Sequence, residues 1–476
     1  MSGLFSILTF TRQALQTQQL GLEVAKNNIA NVNTPGYCRQ RPQFVENYPF
    51  RQGQLIFGQG VSVSEVEVLR DKFIEIRLGQ EQKKSGYYDD LSTGMQQLEQ
   101  IFNESNGDGL QNSLTEFFGS LLKLSSDPTS MPLRQNVLLQ ANKLTLNIRT
   151  KSSSLQELRG QADGRMKQLV VETNRLLEEI DVLNKQITPM ENGGLDSGGL
   201  RDRRDLALQE LGKILDISYV ELSNGSVMVS TGDGRALVTE SGIKRLSTGT
   251  TGAGINATTT ILLDGDDITE ELRSSESGRL GAQLDFQKDV LGDVFSRLNL
   301  MVQDLRDRFN AVHAQGFDLQ GNPGQPFFVP AAGAITALDI QTGISDPSLI
   351  AAAGPGAVPG TSAGPGDNTT IRALFEISKQ LPAAPPIPAA LTGVTYGDFL
   401  LRITTDIANR TVFAEGALES QSAILLQLQR QRESVSGVSL DEEATDVVRY
   451  QKAFEASSRF FNVINQLADD ILRIAG

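Results

Sequence analysis

Histidine and cysteine, the residue types most used in nucleophilic catalysis and transition-metal binding, occur once each in this 476-residue chain. His313, the one histidine, could act as a general base or a metal ligand, but the sequence clusters no partners around it. A structural histidine near the end of a helix is the expectation. Asp264-Gly265-Asp266-Asp267 begins like a calcium loop, yet Ile268 stands at the next alternate ligand position, so an Asp-rich turn is expected instead. Cys38 is the one cysteine, which excludes an intramolecular disulfide and any multi-cysteine metal site. Ser152-Ser153-Ser154 and the Gly/Pro stretches supply no nucleophile elbow, phosphate loop or paired acid and base. The sequence therefore points to no catalytic residue, no metal site, no cofactor and no enzyme.

Composition narrows the partners. The net charge of −14 and the lack of any Lys/Arg-rich block argue against nucleic acid. No stretch approaches the roughly 20 apolar residues of a membrane span, so no membrane partner is expected. Met1-Ser2-Gly3 carries no basic residue, and the first is Arg12, inside an amphipathic pattern. Export, if it occurs, is expected to proceed without a cleavable signal peptide.

Helical periodicity dominates the elements. One seam runs through Tyr88, Leu91, Met95, Leu98 and Phe102, and a second through Leu110, Leu114, Phe117, Leu121 and Leu124. A longer pattern from Val137 to Ile187 predicts a helix of some 80 Å at about 1.5 Å per residue, with Gly160 and Gly164 as points of bending and Thr188-Pro189 as its stop. The period then changes. Asn224-Gly225 between two alternating runs marks a hairpin, because both residues tolerate positive φ. Helix returns with a regular seam through Leu280, Leu284, Gln287, Leu291, Val294, Leu298, Met301, Leu305, Arg308 and Val312. After a loop-rich stretch with Gly and Pro clusters, a last body helix spans Leu400 to Val435.

Both ends of the chain carry coiled-coil stripes. From the start, steps of four and three give Leu4, Leu8, Thr11, Leu15, Gln18, Leu22, Ala25 and Ile29. At the other end they give Val447, Tyr450, Phe454, Ser457, Phe461, Ile464, Ala468, Ile471 and Ala475. Short striped helices need partners to bury their seams, and the simplest partner for each is the other. The expected fold class is therefore α+β: an elongated, long-helix coiled-coil bundle formed by both halves of the chain, with a β-rich inserted domain and paired terminal helices. Its domains are expected as 1–40 with 437–476 (terminal helices), 60–204 with 276–315 and 395–436 (helical body), 205–275 (β-rich insert) and 316–394 (loop-rich).

The first stripe runs into Asn27-Asn28-Ile29-Ala30-Asn31-Val32-Asn33-Thr34-Pro35-Gly36-Tyr37. That segment closely resembles the N-terminal signature of the bacterial flagellar rod, hook and hook-associated axial proteins. Ser439-Leu440-Asp441-Glu442-Glu443-Ala444 and Tyr450-Gln451-Lys452-Ala453-Phe454-Glu455-Ala456-Ser457 resemble the matching C-terminal signature. By residue spacing alone, Ser439 and Glu442 read as a capping box at the start of the last helix. The helical body, and the run from Phe309 to Gly324, resemble the hook-associated junction members of the family more than its hook or distal-rod members. A secreted coiled-coil effector is a remoter alternative.

The resemblance implies a structural subunit joining hook to filament, outside the cell, assembled with copies of itself in a ring or helix. It implies the hook protein and a second junction protein (hook-associated protein 3) as neighbours, and a cytoplasmic export chaperone before assembly. The residues expected to carry assembly are Leu4, Leu8, Leu15, Leu22, Ile29, Asn28, Asn31, Pro35, Gly36, Tyr37, Val447, Tyr450, Phe454, Phe461, Ile464 and Ile471. Cys38 receives no role.

Overall fold

The computed structural model describes the chain except residues 1, 35, 53–54, 104–108, 194–196, 253–256, 274–275, 277, 332–335, 380–392 and 476. In chain order the elements are α1 (Ser2–Ala30), β1 (Gln40–Glu46), β2 (Phe50–Gln52), β3 (Leu55–Phe57), β4 (Val61–Val68), α2 (Lys72–Phe102), α3 (Leu110–Leu124), α4 (Met131–Asn192) and α5 (Gly198–Ile214). Then follow β5 (Ile217–Glu221), β6 (Val227–Thr231), β7 (Ala236–Thr239), β8 (Gly242–Ile243), β9 (Leu246–Thr251), β10 (Thr258–Leu263), β11 (Asp266–Asp267), α6 (Thr269–Arg273) and α7 (Gly278–Asp285). A π-helical turn (Phe286–Leu291) leads into α8 (Gly292–His313), β12 (Phe328–Pro330), β13 (Ile340–Thr342), α9 (Thr369–Glu376), α10 (Tyr396–Ser436) and α11 (Leu440–Ala475). The fold is α+β with long helices.

The chain divides into two compact units. The first holds residues 1–83, 173–244 and 421–476, and the second holds 84–172 and 245–420. The boundary at 244/245 falls within the stretch 205–275 expected as the β-rich insert. The four-stranded sheet β5-β6-β7-β8 lies in the first unit and the three-stranded sheet β11-β10-β9 in the second.

In the first unit α1 packs along α11, and β1 pairs antiparallel with β4 from Gln40↔Val68 to Glu46↔Val61. Residues 40–68 thus form strands that the sequence reading passed over. Asn184 of α4 holds the β5–β6 hairpin. Its amide donates to the Val227 carbonyl at 2.8 Å and accepts from the Val227 N–H at 3.0 Å. Arg204 of α5 is buried and donates to the Gly225 carbonyl at 2.6 Å, fastening the Asn224-Gly225 turn from below.

The second unit is built on one core, in which Phe117, Phe309, Phe327 and Phe328 pack with ring centroids 4.8 to 6.2 Å apart. The seam of α7 and α8 holds as far as Leu305, but Phe309 and His313 are buried where Arg308 and Val312 were expected. A straight helix drifts by about 20° per heptad from a 3.5-residue template, so the template loses the core face at its end. α4 runs unbroken past Gly160 and Gly164 and ends at Asn192, with Pro189 inside it. The donor that Pro189 lacks falls in the final turn, where little ladder remains to lose.

Among the described residues, the loop-rich stretch is pinned rather than free. His313 Nδ1 lies 2.7 Å from the Gln325 carbonyl, and Nε2 accepts from the Ala351 N–H at 2.9 Å. Those two bonds fix the tautomer with the proton on Nδ1, and burial depresses the imidazole pKa to about 4. Arg134, also buried, donates to the Pro128 and Ile350 carbonyls at 2.7 Å each. The Asp-rich run is a two-residue turn: Asp264 (φ 51) and Gly265 (φ 96) join β10 to β11, and Asp267 caps α6 by accepting from the Thr269 N–H at 2.9 Å. The Pro-rich stretch 382–388 lies outside the described residues.

Candidate assembly site

The N-terminal signature and the start of the last helix meet in the first unit, around a single amide. Asn28 closes the C-terminal end of α1 and is 1% exposed. Its Nδ2 donates to the Gln40 carbonyl at 2.8 Å and to Glu443 Oε2 at 3.0 Å. Its Oδ1 accepts from the Gln40 N–H at 3.0 Å and from the Tyr37 hydroxyl at 2.8 Å. An amide has two donor hydrogens and two acceptor lone pairs, and here all four are used. The side chain therefore ties three segments together: the helix end, the first residue of β1 and the first turn of α11.

Charge reinforces the joint. Arg39 pairs with Glu442 at 2.5 Å and with Glu443 at 2.7 Å, and its backbone N–H donates to the Ser436 carbonyl at 2.9 Å. Glu443 is 2% exposed, so its carboxylate depends on this guanidinium and on Asn28. The carboxylates hold the Arg39 pKa above its ordinary value although burial opposes them. Glu442 thus faces the other terminus, where the sequence had suggested a capping role. A charge-assisted contact with a neighbouring guanidinium outweighs a local bond to one backbone N–H.

The turn between α1 and β1 is shaped by Gly36, whose φ of +82° is strained for residues with a Cβ. Its carbonyl accepts from Arg432 of α10 at 3.3 Å. Cys38 is buried beneath the turn, and burial raises its thiol pKa. Asn31 stays local, donating to the Asn27 side chain at 2.8 Å and accepting from the Thr34 hydroxyl at 3.1 Å. Pro35 lies outside the described residues.

Along the terminal pair, Leu8, Leu15, Leu22, Ile29, Val447 and Phe461 are half-buried, Tyr450 and Ile464 are buried, and Phe454 is at the edge of exposure. The side chains of Leu4 and Ile471 lie outside the described set. At Gly21 the helices come close: a Cβ there would lie 2.9 Å from the Tyr450 ring. Arg449 covers that ring at 5.0 Å. A different stripe remains open. Phe460, Val463 and Leu467 are each about half exposed (47, 51 and 48%), at the spacing of one helix face. The sequence reading missed this stripe, and it missed Arg39, Gln40, Glu443 and Arg432 as parts of the joint. A stripe stepping from Phe460 was present in the sequence, one residue out of phase with the seam through Phe461.

Comparison with known families follows the same layout. Residues 8–37 match the flagella basal body rod protein model, 95–328 the helical domain of flagellar hook-associated protein FlgK, and 429–474 the C-terminal model of flagellar basal body rod FlgEFG proteins. Flagellar hook-associated protein 1 of Bacillus subtilis (strain 168) is 26% identical, aligned over 100% of this chain and 99% of its own length. The chain belongs to the flagellar hook-associated protein 1 family. Relatives of the same name from Salmonella typhimurium (25% identical) and Escherichia coli K12 (24%) align over 98% of the chain and 100% of their own lengths. A solved structure of the flagellar hook junction protein FlgK from Burkholderia pseudomallei shares the fold, with a TM-score of 0.65 at 15% identity, covering 76% of this chain and 100% of that one. The chain is thus a structural component of the bacterial flagellum.

Proposed function

We propose that the chain joins hook to filament and is required for filament growth, with its terminal helix pair as the polymerising element. The observation that carries this reading is the pairing of α1 with α11, locked by Asn28, which leaves an apolar stripe on α11 uncovered. A subunit that has already satisfied its inner seam within itself presents Phe460, Val463 and Leu467 to other chains. Copies of itself, the hook protein and the second junction protein (hook-associated protein 3) are the partners this surface serves after export. An export chaperone covers the same stripe beforehand, keeping about half-exposed apolar side chains from self-association. The assembly residues named from the sequence act one step earlier, by setting the helix pair that presents the stripe.

The test is genetic and visual. A strain lacking the chain should show hooks without filaments by electron microscopy, and the plasmid-borne chain should restore filaments. Normal filaments in the deletion strain would refute the junction role.

A further inference from the structure

The turn at residues 36–38 rests on a charged cluster within the first unit, drawn from several elements. From α5, Asp202 accepts the Cys38 N–H, and Asp205 follows about one turn later. Arg70, between β4 and α2, donates to both carboxylates. From α10, Arg432 donates to the Gly36 carbonyl at 3.3 Å and lies 3.8 Å from the Cys38 sulfur. From the first turn of α2, Glu75 faces Arg70, Arg432, Asp202 and Asp205, and the Tyr219 hydroxyl of β5 faces it in turn.

The charges of this cluster do not balance. Arg70 and Arg432 stand against three carboxylates, and Arg204, 4.0 Å from Asp205, is already matched by Glu221 at 3.3 Å. Asp202 and Asp205 both pair with Arg70. Among the described residues, Glu75 is half-buried without an ion pair or a hydrogen bond, and Arg432 has no carboxylate partner and a buried Nε without an acceptor. An unpaired carboxylate out of water is costly, and a proton or a cation relieves it. Burial raises the Glu75 pKa, Asp205 and Asp202 add to the rise, and Arg70 and Arg432 oppose it. Of the two guanidinium groups facing Glu75, Arg70 is held by two aspartates and Arg432 by none.

We propose that Glu75 is a proton-operated release for this turn: protonated, it leaves Arg432 on the Gly36 carbonyl, and ionised, it draws the guanidinium away and lets residues 36–38 open. The proton passes between the carboxyl group and solvent, and only hydrogen bonds change. A proton bound more tightly with the turn closed stabilises the closed form in acid, and that stabilisation is lost as pH rises through the raised pKa. The same turn carries α1 into β1, and the neighbouring Arg39 N–H is held by the Ser436 carbonyl of α10 at 2.9 Å. Release therefore loosens the tie between the terminal pair and the end of α10. The device concerns the chain's own turn and stands apart from the hook-to-filament reading.

Cys38 is the chain's one thiol and is 1% exposed, so its reaction with a thiol reagent reads the opening. The rate in the folded full-length chain is divided by that of the urea-unfolded chain at the same pH, which removes the titration of the thiol itself. In the wild type this ratio should rise several-fold from about pH 5.5 to about pH 8. Glu75→Gln should hold it at the low value, within about twofold, across that range. Arg432→Gln should give a raised ratio that no longer changes with pH. A flat ratio in the wild type, or a rise that survives in Glu75→Gln, would overturn the release. A rise that survives in a folded Arg432→Gln chain would overturn it too, since Arg432 is the group withdrawn. If the Arg432→Gln chain does not fold, the wild type and Glu75→Gln decide.

Discussion

Replacing Asn28 by alanine should unfasten the joint between the two ends of the chain. The substitution releases four groups: the Gln40 N–H, the Gln40 carbonyl, the Tyr37 hydroxyl and the Glu443 carboxylate. Tyr37 is half-buried and its hydroxyl can turn to water, and Glu443 keeps Arg39 at 2.7 Å. The loss therefore concentrates on the two backbone groups of Gln40, a residue 8% exposed. An unsatisfied buried polar group costs about 1–3 kcal/mol, which puts the total for the two at about 2–6 kcal/mol. At about 1.4 kcal/mol per tenfold, local opening of the joint should become at least roughly 30 times, and up to about 20,000 times, more frequent. Hydrogen exchange reads this directly, because the Arg39 and Gln40 amides are bonded to Ser436 and Asn28. Asn31→Ala, whose bonds are local and exposed, should leave both amides nearly unchanged. Exchange at Arg39 and Gln40 within about threefold of wild type in the Asn28→Ala chain would refute the reasoning.

Gly21→Ala would push its Cβ to 2.9 Å from the Tyr450 ring and should destabilise the terminal pair by about 1–3 kcal/mol, with partial rescue by Tyr450→Leu; equal protease resistance in all three chains would contradict this. His313 is buried neutral, with its pKa lowered from 6.5 to about 4. Its stabilising contribution is full above pH 6.5 and is lost as pH falls through 4, a change of roughly 3 kcal/mol. His313→Gln should flatten that part of the acid destabilisation in calorimetry, and an unchanged slope would show the histidine is not its source. Phe460→Glu and Val463→Glu should abolish incorporation into flagella while leaving the α1–α11 pair protected from exchange. Phe461→Glu and Ile464→Glu should instead loosen the pair itself; identical behaviour of the two sets would remove the distinction between inner seam and outer stripe.

Much of the helical architecture was legible because apolar periodicity is a repeated signal, and each seam residue votes for the same face. Leu110 to Leu124 and Leu280 to Leu305 are buried where the pattern put them. The end of α8 was misread by one position because a 3.5-residue template drifts on a 3.6-residue helix. β1 and β4 were missed although Val61, Val63, Val66 and Val68 carry apolar residues spaced for a strand; the paired residues lie 15 to 28 positions apart, and no tight turn joins the two strands. The assembly joint was half legible. Its signature stood out as a motif, but the partners of Asn28 are set by a contact spanning 415 residues of sequence, which no local pattern encodes. Glu442 and Glu443 looked like a helix start, as they are, and only the folded chain brings Arg39 to them.

The central claim is that this chain forms a layer between hook and filament with its two ends paired in every copy. Image reconstruction of hook–filament junctions isolated from cells expressing the chain tests it most directly. The account predicts a repeating layer in which α1 lies along α11 and Asn28 meets Gln40 and Glu443. Absence of the chain from that layer, or α1 and α11 separated within each copy, would contradict it.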